Sequence, residues 1–390
     1  MQAEARSRAL IIGAGISGLA AAWWLEKAGW ACTIVEKSPS MREGGYIVSI
    51  SGSGLETVKR MGLYEKLDEI SYNFDENVVK DNGGRELLRL RYKDVHGGVD
   101  ALAVCRDDLA RVLANAISES VAFRFGDTVV KIEDDGTKAQ ATLSTGETLE
   151  ADLLIGADGI RSSTRNYLCE GNKCLEDLGY TYAVYDIEGQ PGLDSDCVSF
   201  NSPGHLDVLY TLRNNRVAAL HIWRDDQTRL QDKQSQFDKI RHITSGSTKL
   251  VTDVISLAER NGSTPVVDRL TMVSLPNWHK GRVLLLGDAA HCLTLMSGQG
   301  AGMALASAEI LGKELMSTNI VATALSQHER KLRPIIERLQ QRSRKMAAMY
   351  IPKNTFMYHL RNFFLRFMPY SWIVSWHASS AKSEIDSTLS

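Results

Sequence analysis

The chain has 390 residues but only six cysteines, Cys32, Cys105, Cys169, Cys174, Cys197 and Cys292. They include no CxxC pair and no zinc spacing, which argues against a redox dithiol, a disulfide framework or a structural metal. Six reduced thiols and no metal are the expectation. Charge of one sign is also scarce: the formal net charge is -2, so the overall electrostatics give no reason to expect nucleic acid. No apolar run reaches the roughly 20 residues that span a bilayer. Arg6 and Arg8 ahead of an apolar stretch to Leu25 imitate a signal peptide, but Gly13, Gly15 and Gly18 sit inside that stretch. Charge resumes at Glu26 and Lys27 with no cleavage site between, so the expectation is a cytoplasmic protein without a leader. Internal repeats and low-complexity segments are absent as well.

What is present is an ordinary globular composition, 44% hydrophobic and 24% charged, at a length suited to two domains or one domain with an insertion. Ala9–Ile12 is a short apolar run, Ser17–Lys27 has helical spacing with Gly29 as a stop, and Cys32–Val35 is a second strand ending at Glu36. Val78–Tyr92 reads as a hairpin turning at Asn82-Gly83-Gly84. Arg106–Ser118 reads as helix, and Ala151–Ile155 as a buried strand. From Tyr180 to Ser274 the pattern alternates, as in Tyr182–Ile187, Leu206–Leu212 and Val217–Trp223, predicting a sheet with one solvated face. Val283–Leu286 resumes the buried parallel style, and a long helix runs from about Gly300 to Met316.

Three motifs stand at the ends of those buried strands. Gly13-Ala14-Gly15-Ile16-Ser17-Gly18 combines a tight turn, a close backbone approach and a close helix–strand packing with a helix N-terminus that favours phosphate. Glu36 ends the next strand, where a carboxylate suits ribose hydroxyls. A bare glycine turn is the bland reading, and the motif alone does not separate FAD from NAD. The second motif is Gly156-Ala157-Asp158-Gly159-Ile160-Arg161 through Arg165, and the third is Gly287-Asp288-Ala289-Ala290-His291 followed by Ser297–Gly302. Gly298-Gln299-Gly300-Ala301-Gly302 is not a second dinucleotide fold, because no acid-ended strand follows it.

In order and spacing, these motifs resemble the class A FAD-dependent monooxygenases, the p-hydroxybenzoate hydroxylase-like family, over about Leu10 to Met316. The resemblance implies an α/β fold: an FAD-binding Rossmann-like domain of the glutathione-reductase type with an inserted, mainly antiparallel β-sheet substrate domain and C-terminal helices. The expected division is 1–73, 100–177 and 274–345 for FAD, 74–99 and 178–273 for substrate, and 346–390 as a helical tail. The cofactor set it implies is Gly13, Gly15, Ser17, Gly18, Glu36, Lys37, Arg42, Gly45, Arg106, Val129, Asp158, Asp288, Gly298, Gly300 and Ala301. Asp288 would take the ribityl chain, Asp158 and Arg165 the pyrophosphate side and NAD(P)H, and Arg106 the flavin. Gly298, Gly300, Gly302, Ala304 and Ala306 would clear space for a flat ring, although small residues also serve a closely packed helix. The chain departs from the family at Leu295, where Pro is usual, and at Gly302 and Ser307, where Asn and Asp are usual.

The reaction implied is insertion of one atom of O2 into an electron-rich phenolic or polyketide-like small molecule, through a flavin C4a-hydroperoxide, with NAD(P)H as transient electron donor and no protein nucleophile. Tyr210, His221 and Trp223 are the candidate substrate residues. His221 and Trp223 share one strand face, and Ala219-Leu220-His221-Ile222 is similar to a strand of the tetracycline-inactivating branch; a lone strand histidine is otherwise structural. The tail from Phe356 to Trp376 reads first as a helix packed across both domains, next as a pocket lid, and least as an interfacial membrane helix. A monomer without membrane contact is expected. The rivals are a flavin-dependent halogenase, whose WxWxIP motif is absent here, a reductase of the same fold, and a non-catalytic binding protein of that fold.

Overall fold

The structure, a computed structural model, describes residues 6–41, 46–95, 100–189, 191–224, 235–372 and 374–375. Arg8–Ile12 is a strand whose four apolar residues are all buried, as a strand flanked on both edges and covered on both faces requires. It pairs in parallel with Ala31–Glu36 on one side and Leu153–Gly156 on the other, and the latter pairs in parallel with Val283–Leu285. Ala122–Phe125 and the short antiparallel His279–Lys280 complete a six-stranded sheet. The helices Ile16–Lys27 and Gly300–Ser317 pack against each other so tightly that a Cβ on Gly312 would lie 2.8 Å from the Trp24 Cβ. A three-stranded antiparallel sheet, Val129–Asp134, Ala139–Leu143 and Thr148–Ala151, shares a core with Leu10, Ile12, Val35 and Leu154.

By its contacts the chain divides into two units: Met1–Ser71, Ala101–Glu176 and Thr271–Gln341 form the first, and Tyr72–Asp100, Asp177–Leu270 and Arg342–Ser390 the second. The second unit is built on a seven-stranded sheet in the order Val266–Val273, Leu175–Glu188, Arg216–Arg224, His205–Leu212, Cys197–Ser202, Glu76–Asp81, Glu86–Arg91. The hairpin at Asn82–Gly84 forms as expected. Asn214 and Asn215 both have positive φ, 58° and 56°, the two-residue turn whose twist matches antiparallel strands.

Two expectations fail here. The sheet does not present one wet face, since Cys197–Ser202 is buried at all six positions. Helices Gln236–Ile243 and Lys249–Arg260 cover one face with Phe237, Ile240, Val251, Val254 and Ile255. The 3–4 spacing of Val251, Val254, Ile255 and Ala258 carried that signal inside a stretch otherwise read as strands. Nor are all six thiols reduced: Cys169 and Cys174 form a disulfide. A short helical turn ending at Tyr167 and a strand starting at Leu175 fold the intervening loop back until the two Cα atoms lie 6.5 Å apart, a reach that C-x4-C spacing alone does not announce. The other four cysteines form no disulfide, and burial pushes Cys32 up to about 12 and Cys197 up to about 11, so neither is a thiolate near neutral pH.

Candidate flavin site

The three motifs sit at the carboxyl ends of three adjacent parallel strands, Arg8–Ile12, Leu153–Gly156 and Val283–Leu285, the place where open α/β sheets bind ligands. Direct contacts lock them together. Gly13, at φ 106°, has no room for a side chain, because a Cβ would lie 2.5 Å from the Ala157 carbonyl oxygen of the second motif. Its N–H donates to the Val35 carbonyl at 2.8 Å. Gly287 of the third motif is equally tight: a Cβ there would lie within van der Waals radius of the Ser17 Oγ. Arg165 is buried and donates to the Ala289 carbonyl at 3.1 Å and to the Ile160 carbonyl, tying the second loop to the third.

Gly15 behaves differently. It precedes the helix Ile16–Lys27, and a Cβ built on it would meet nothing within 4 Å. Gly298 and Gly300, before the helix Gly300–Ser317, are also open. Space left at a helix N-terminus, where backbone N–H groups lack partners, is what a phosphate or an electron-rich ring edge needs. Gly302 is not part of that space. A Cβ on it would meet the Ser51 carbonyl oxygen at 3.6 Å and the Gly54 Cα at 3.8 Å, and the tight constraint falls on Gly54, whose Cβ would lie 2.3 Å from the Gly302 Cα. Ala301, Ala304 and Ala306 are buried.

The acidic residues also separate by role. Glu36 is buried and accepts from the backbone N–H of Ala14 at 2.8 Å and of Ser38 at 3.0 Å, which fixes the glycine turn to the strand end. Asp158 accepts from Ser162 Oγ, Thr164 Oγ1 and the Thr164 N–H, so its carboxylate shapes its own loop. Asp288 is exposed at the end of the third strand, with neighbouring protein close around its carboxyl. Those surroundings raise its pKa, while the Arg106 guanidinium pulls it down. Tyr46, which the sequence reading missed, belongs to the same group: burial raises its pKa, Arg106 opposes that, and Asp288 and Cys292 add to it. Its carbonyl also accepts the Arg106 N–H at 3.1 Å. No spacing rule pointed to Tyr46, because it joins the site through the pairing of Ile47–Ser51 with Ala101–Cys105. Open space at Gly15, Gly298 and Gly300, an accessible carboxylate, an arginine and a phosphate-ready turn together fit an FAD molecule.

Other predicted residues fall elsewhere. Lys37 is exposed beside Glu36. The Val129 side chain is buried in the core beneath the three-stranded sheet. Arg42 and Gly45 lie outside the described residues. In the second unit, Trp223 packs with Phe237 and Ile240 in the helix-covered core, and His221 follows the same side of its strand. The His221 ring is held at both nitrogens, by Tyr185 Oη at 2.9 Å and Asp207 at 2.7 Å. Tyr210 instead has its ring edge-on to Phe74. The three residues therefore do not share a face. An open hollow near Asp75, Pro191, Asp194 and Thr211 contains none of the predicted residues.

Behind the third motif, His291 and His328 flank the Trp278 ring at centroid distances of 4.8 and 6.3 Å. Burial holds both imidazoles neutral, lowering His291 to about 4 and His328 to about 3 from 6.5. The unfolded chain therefore binds more protons below pH 6.5, and stability falls with acid, through His291 until about pH 4 and through His328 until about pH 3. Two such groups give a slope of up to about 2.7 kcal/mol per pH unit. Thermal melting between pH 7 and 4 should show this, and His328→Gln should make the curve shallower. An unchanged slope in that variant would remove the assignment.

The comparisons agree with this geometry. The model of a family described as FAD binding domain matches residues 6–343. An uncharacterised protein of Mycobacterium tuberculosis is 30% identical over 313 residues, covering 78% of this chain and 84% of its own. A flavin-dependent monooxygenase from an unknown prokaryotic organism is 28% identical over 351 residues, covering 85% and 87%. Klebsiella pneumoniae HpxO complexed with FAD and uric acid shares the fold at TM-score 0.83 and 22% identity, over 97% of this chain and 97% of that one. Tetracycline destructase Tet(55) does so at 0.81 and 24%, over 96% and 97%. With the three loops, the exposed Asp288 among them and the family match in agreement, the chain belongs to the FAD-binding class A flavin-dependent monooxygenases.

Proposed function

We propose that this monooxygenase uses NAD(P)H and O2 to hydroxylate an electron-rich aromatic or polyketide-like small molecule. The observation that carries the reading is the convergence of the three loops at the carboxyl ends of three adjacent parallel strands, with the exposed Asp288 among them. Bound FAD supplies two-electron reduction by NAD(P)H and activation of O2. The chain's residues hold and tune it. Backbone N–H groups from Gly15 to Ser17 take the pyrophosphate, and Glu36 at the strand end takes ribose hydroxyls. Asp288 accepts from the ribityl chain, and the Arg106 guanidinium opposes the rise that burial gives its carboxyl. The helix N-terminus at Gly300 and Ala301 faces its partial positive charge to the flavin's electron-rich edge, favouring the reduced, anionic state. Asp158 and Arg165 act by holding the second and third loops in register. On the sheet, Tyr210 is the better substrate candidate, since His221 and Trp223 are occupied within the helix-covered side.

The test is oxygen uptake by the purified yellow protein with NADPH or NADH, against phenols, tetracyclines and uric acid; the last two enter because similarly folded proteins are a tetracycline destructase and a uric acid complex. Substrate-stimulated uptake with one oxygen atom added to the product is expected. Asp288→Ala should lose FAD affinity by at least about tenfold, the worth of one charge-assisted hydrogen bond. Reduction of a substrate without oxygen uptake would assign the chain to a reductase instead.

A further inference from the structure

The helix Thr355–Phe367 is fastened to its unit by one side only. Tyr358 is buried and its Oη donates to the Asn201 carbonyl at 3.1 Å. Arg361 donates to the Asn201 side chain and the Tyr350 carbonyl, both at 2.9 Å. The chain beyond is held by Tyr370, whose Oη donates to Asp94 at 2.9 Å. The other side carries Phe356, Leu360, Phe363, Phe364 and Phe367, the 3–4 spacing of a helical stripe, and it points outward. Phe356 is 71% exposed, Phe367 68% and Trp372 68%. The polar anchors thus face in and the apolar stripe faces out. A contiguous apolar surface of that kind marks an interaction site.

Charge says what covers it. From Arg338 to Ser383 the sequence has eight Lys or Arg and no Asp or Glu, in a chain whose net charge is -2. Lys345, Lys353 and Arg366 of that stretch are exposed. We propose that the Thr355–Phe367 helix and the following Trp372 form an interfacial anchor that lies in the surface of an anionic lipid bilayer. Aromatic side chains enter the headgroup boundary while Lys and Arg meet acidic lipid. No helix among the described residues is long and apolar enough to cross a membrane, so the contact is a surface one. A second copy of the chain is a poorer occupant, because a two-fold contact would bring two copies of the same basic stretch together.

The experiment is co-sedimentation of the full-length, FAD-loaded protein with phosphatidylcholine vesicles and with vesicles that also contain phosphatidylglycerol. Binding to the anionic vesicles should be about tenfold or more tighter, since each of several basic residues contributes there, and high salt should weaken it. Phe363→Ser with Phe367→Ser should release the protein from both vesicle types and keep the yellow colour, as both residues are exposed. Lys353→Gln with Arg366→Gln should abolish the preference for anionic lipid. A wild-type protein that stays in the supernatant with both vesicles overturns the proposal. So does a dimer in solution that the Phe double variant splits, which gives the stripe to a second copy. Loss of substrate-stimulated oxygen uptake by that variant without vesicles also overturns it, in favour of a lid.

Discussion

Gly15→Ala and Gly18→Ala should fail in opposite ways. A Cβ on Gly18 would fall almost on the Gly13 carbonyl oxygen, at 1.9 Å, and backbone cannot move aside as a side-chain tip does. The glycine turn would have to open, at a cost of about 3 kcal/mol or more. The purified variant should be colourless, and its apoprotein should melt well below the wild-type apoprotein. Gly15→Ala meets nothing within 4 Å and has an ordinary φ of -83°, so its apoprotein should melt within a degree or two of wild type. It nevertheless places a methyl group where a pyrophosphate approaches, and FAD affinity should drop by at least about tenfold. Flavin retention on desalting and apoprotein melting measure the two effects separately. If Gly15→Ala keeps its flavin, the open space beside it is not the phosphate site.

Asp207→Ala should be the most destabilising single change in the sheet unit. The carboxylate is fully buried and accepts from His221 Nδ1 at 2.7 Å and Ser247 Oγ at 2.6 Å, with His205 Nε2 at 3.3 Å. Ser247 in turn receives His205 Nε2 at 2.8 Å, and His221 Nε2 meets Tyr185 Oη at 2.9 Å. Burial alone would raise the Asp207 pKa, but the donors from His205 and His221 outweigh it and hold the group ionised well below the usual range. Removing it strands two imidazoles and a hydroxyl in a dry core, costing about 3–5 kcal/mol. The melting temperature should fall by roughly 10 °C. Because the folded pKa is depressed, this contribution is complete above about pH 4 and is lost as acid protonates the unfolded carboxyl. Wild type should therefore lose stability relative to Asp207→Ala below about pH 4 only. A variant that melts with wild type at pH 7 would show that the network carries no stability.

The glycine turn, the Asp158 loop and the Asp288 loop were legible because each is a local pattern on a buried strand. What each residue touches was not legible, since the contacts are remote in sequence. Gly13 meets Ala157, and Ser17 meets Gly287, and no spacing within a motif reveals either. Asp158 has the residue type of a ligand contact but uses its carboxylate on Ser162 and Thr164. Alternation placed His221 and Trp223 on one side correctly, yet the helices that cover that side were unrecognised, so the side was assigned to substrate. Tyr46 and the Cys169–Cys174 disulfide depend on chain reversals that composition does not encode. The aromatic helix failed differently: apolar residues are assumed to point inward, and here the anchoring is done by Tyr358 and Arg361.

The strand pairing has a further consequence during synthesis. Ala9 pairs with Leu153, and Leu154 with Val283, so the flavin site is assembled from segments far apart along the chain. A ribosome must release the chain beyond Gly300 before all three loops can meet. Nascent chains therefore carry the glycine turn for most of translation with nothing to bind, and FAD cannot template the early steps of folding. Such long-range pairing is slow and leaves strand edges open meanwhile. Flavin supply should accordingly act late, by trapping finished chains, rather than by raising the number that begin to fold.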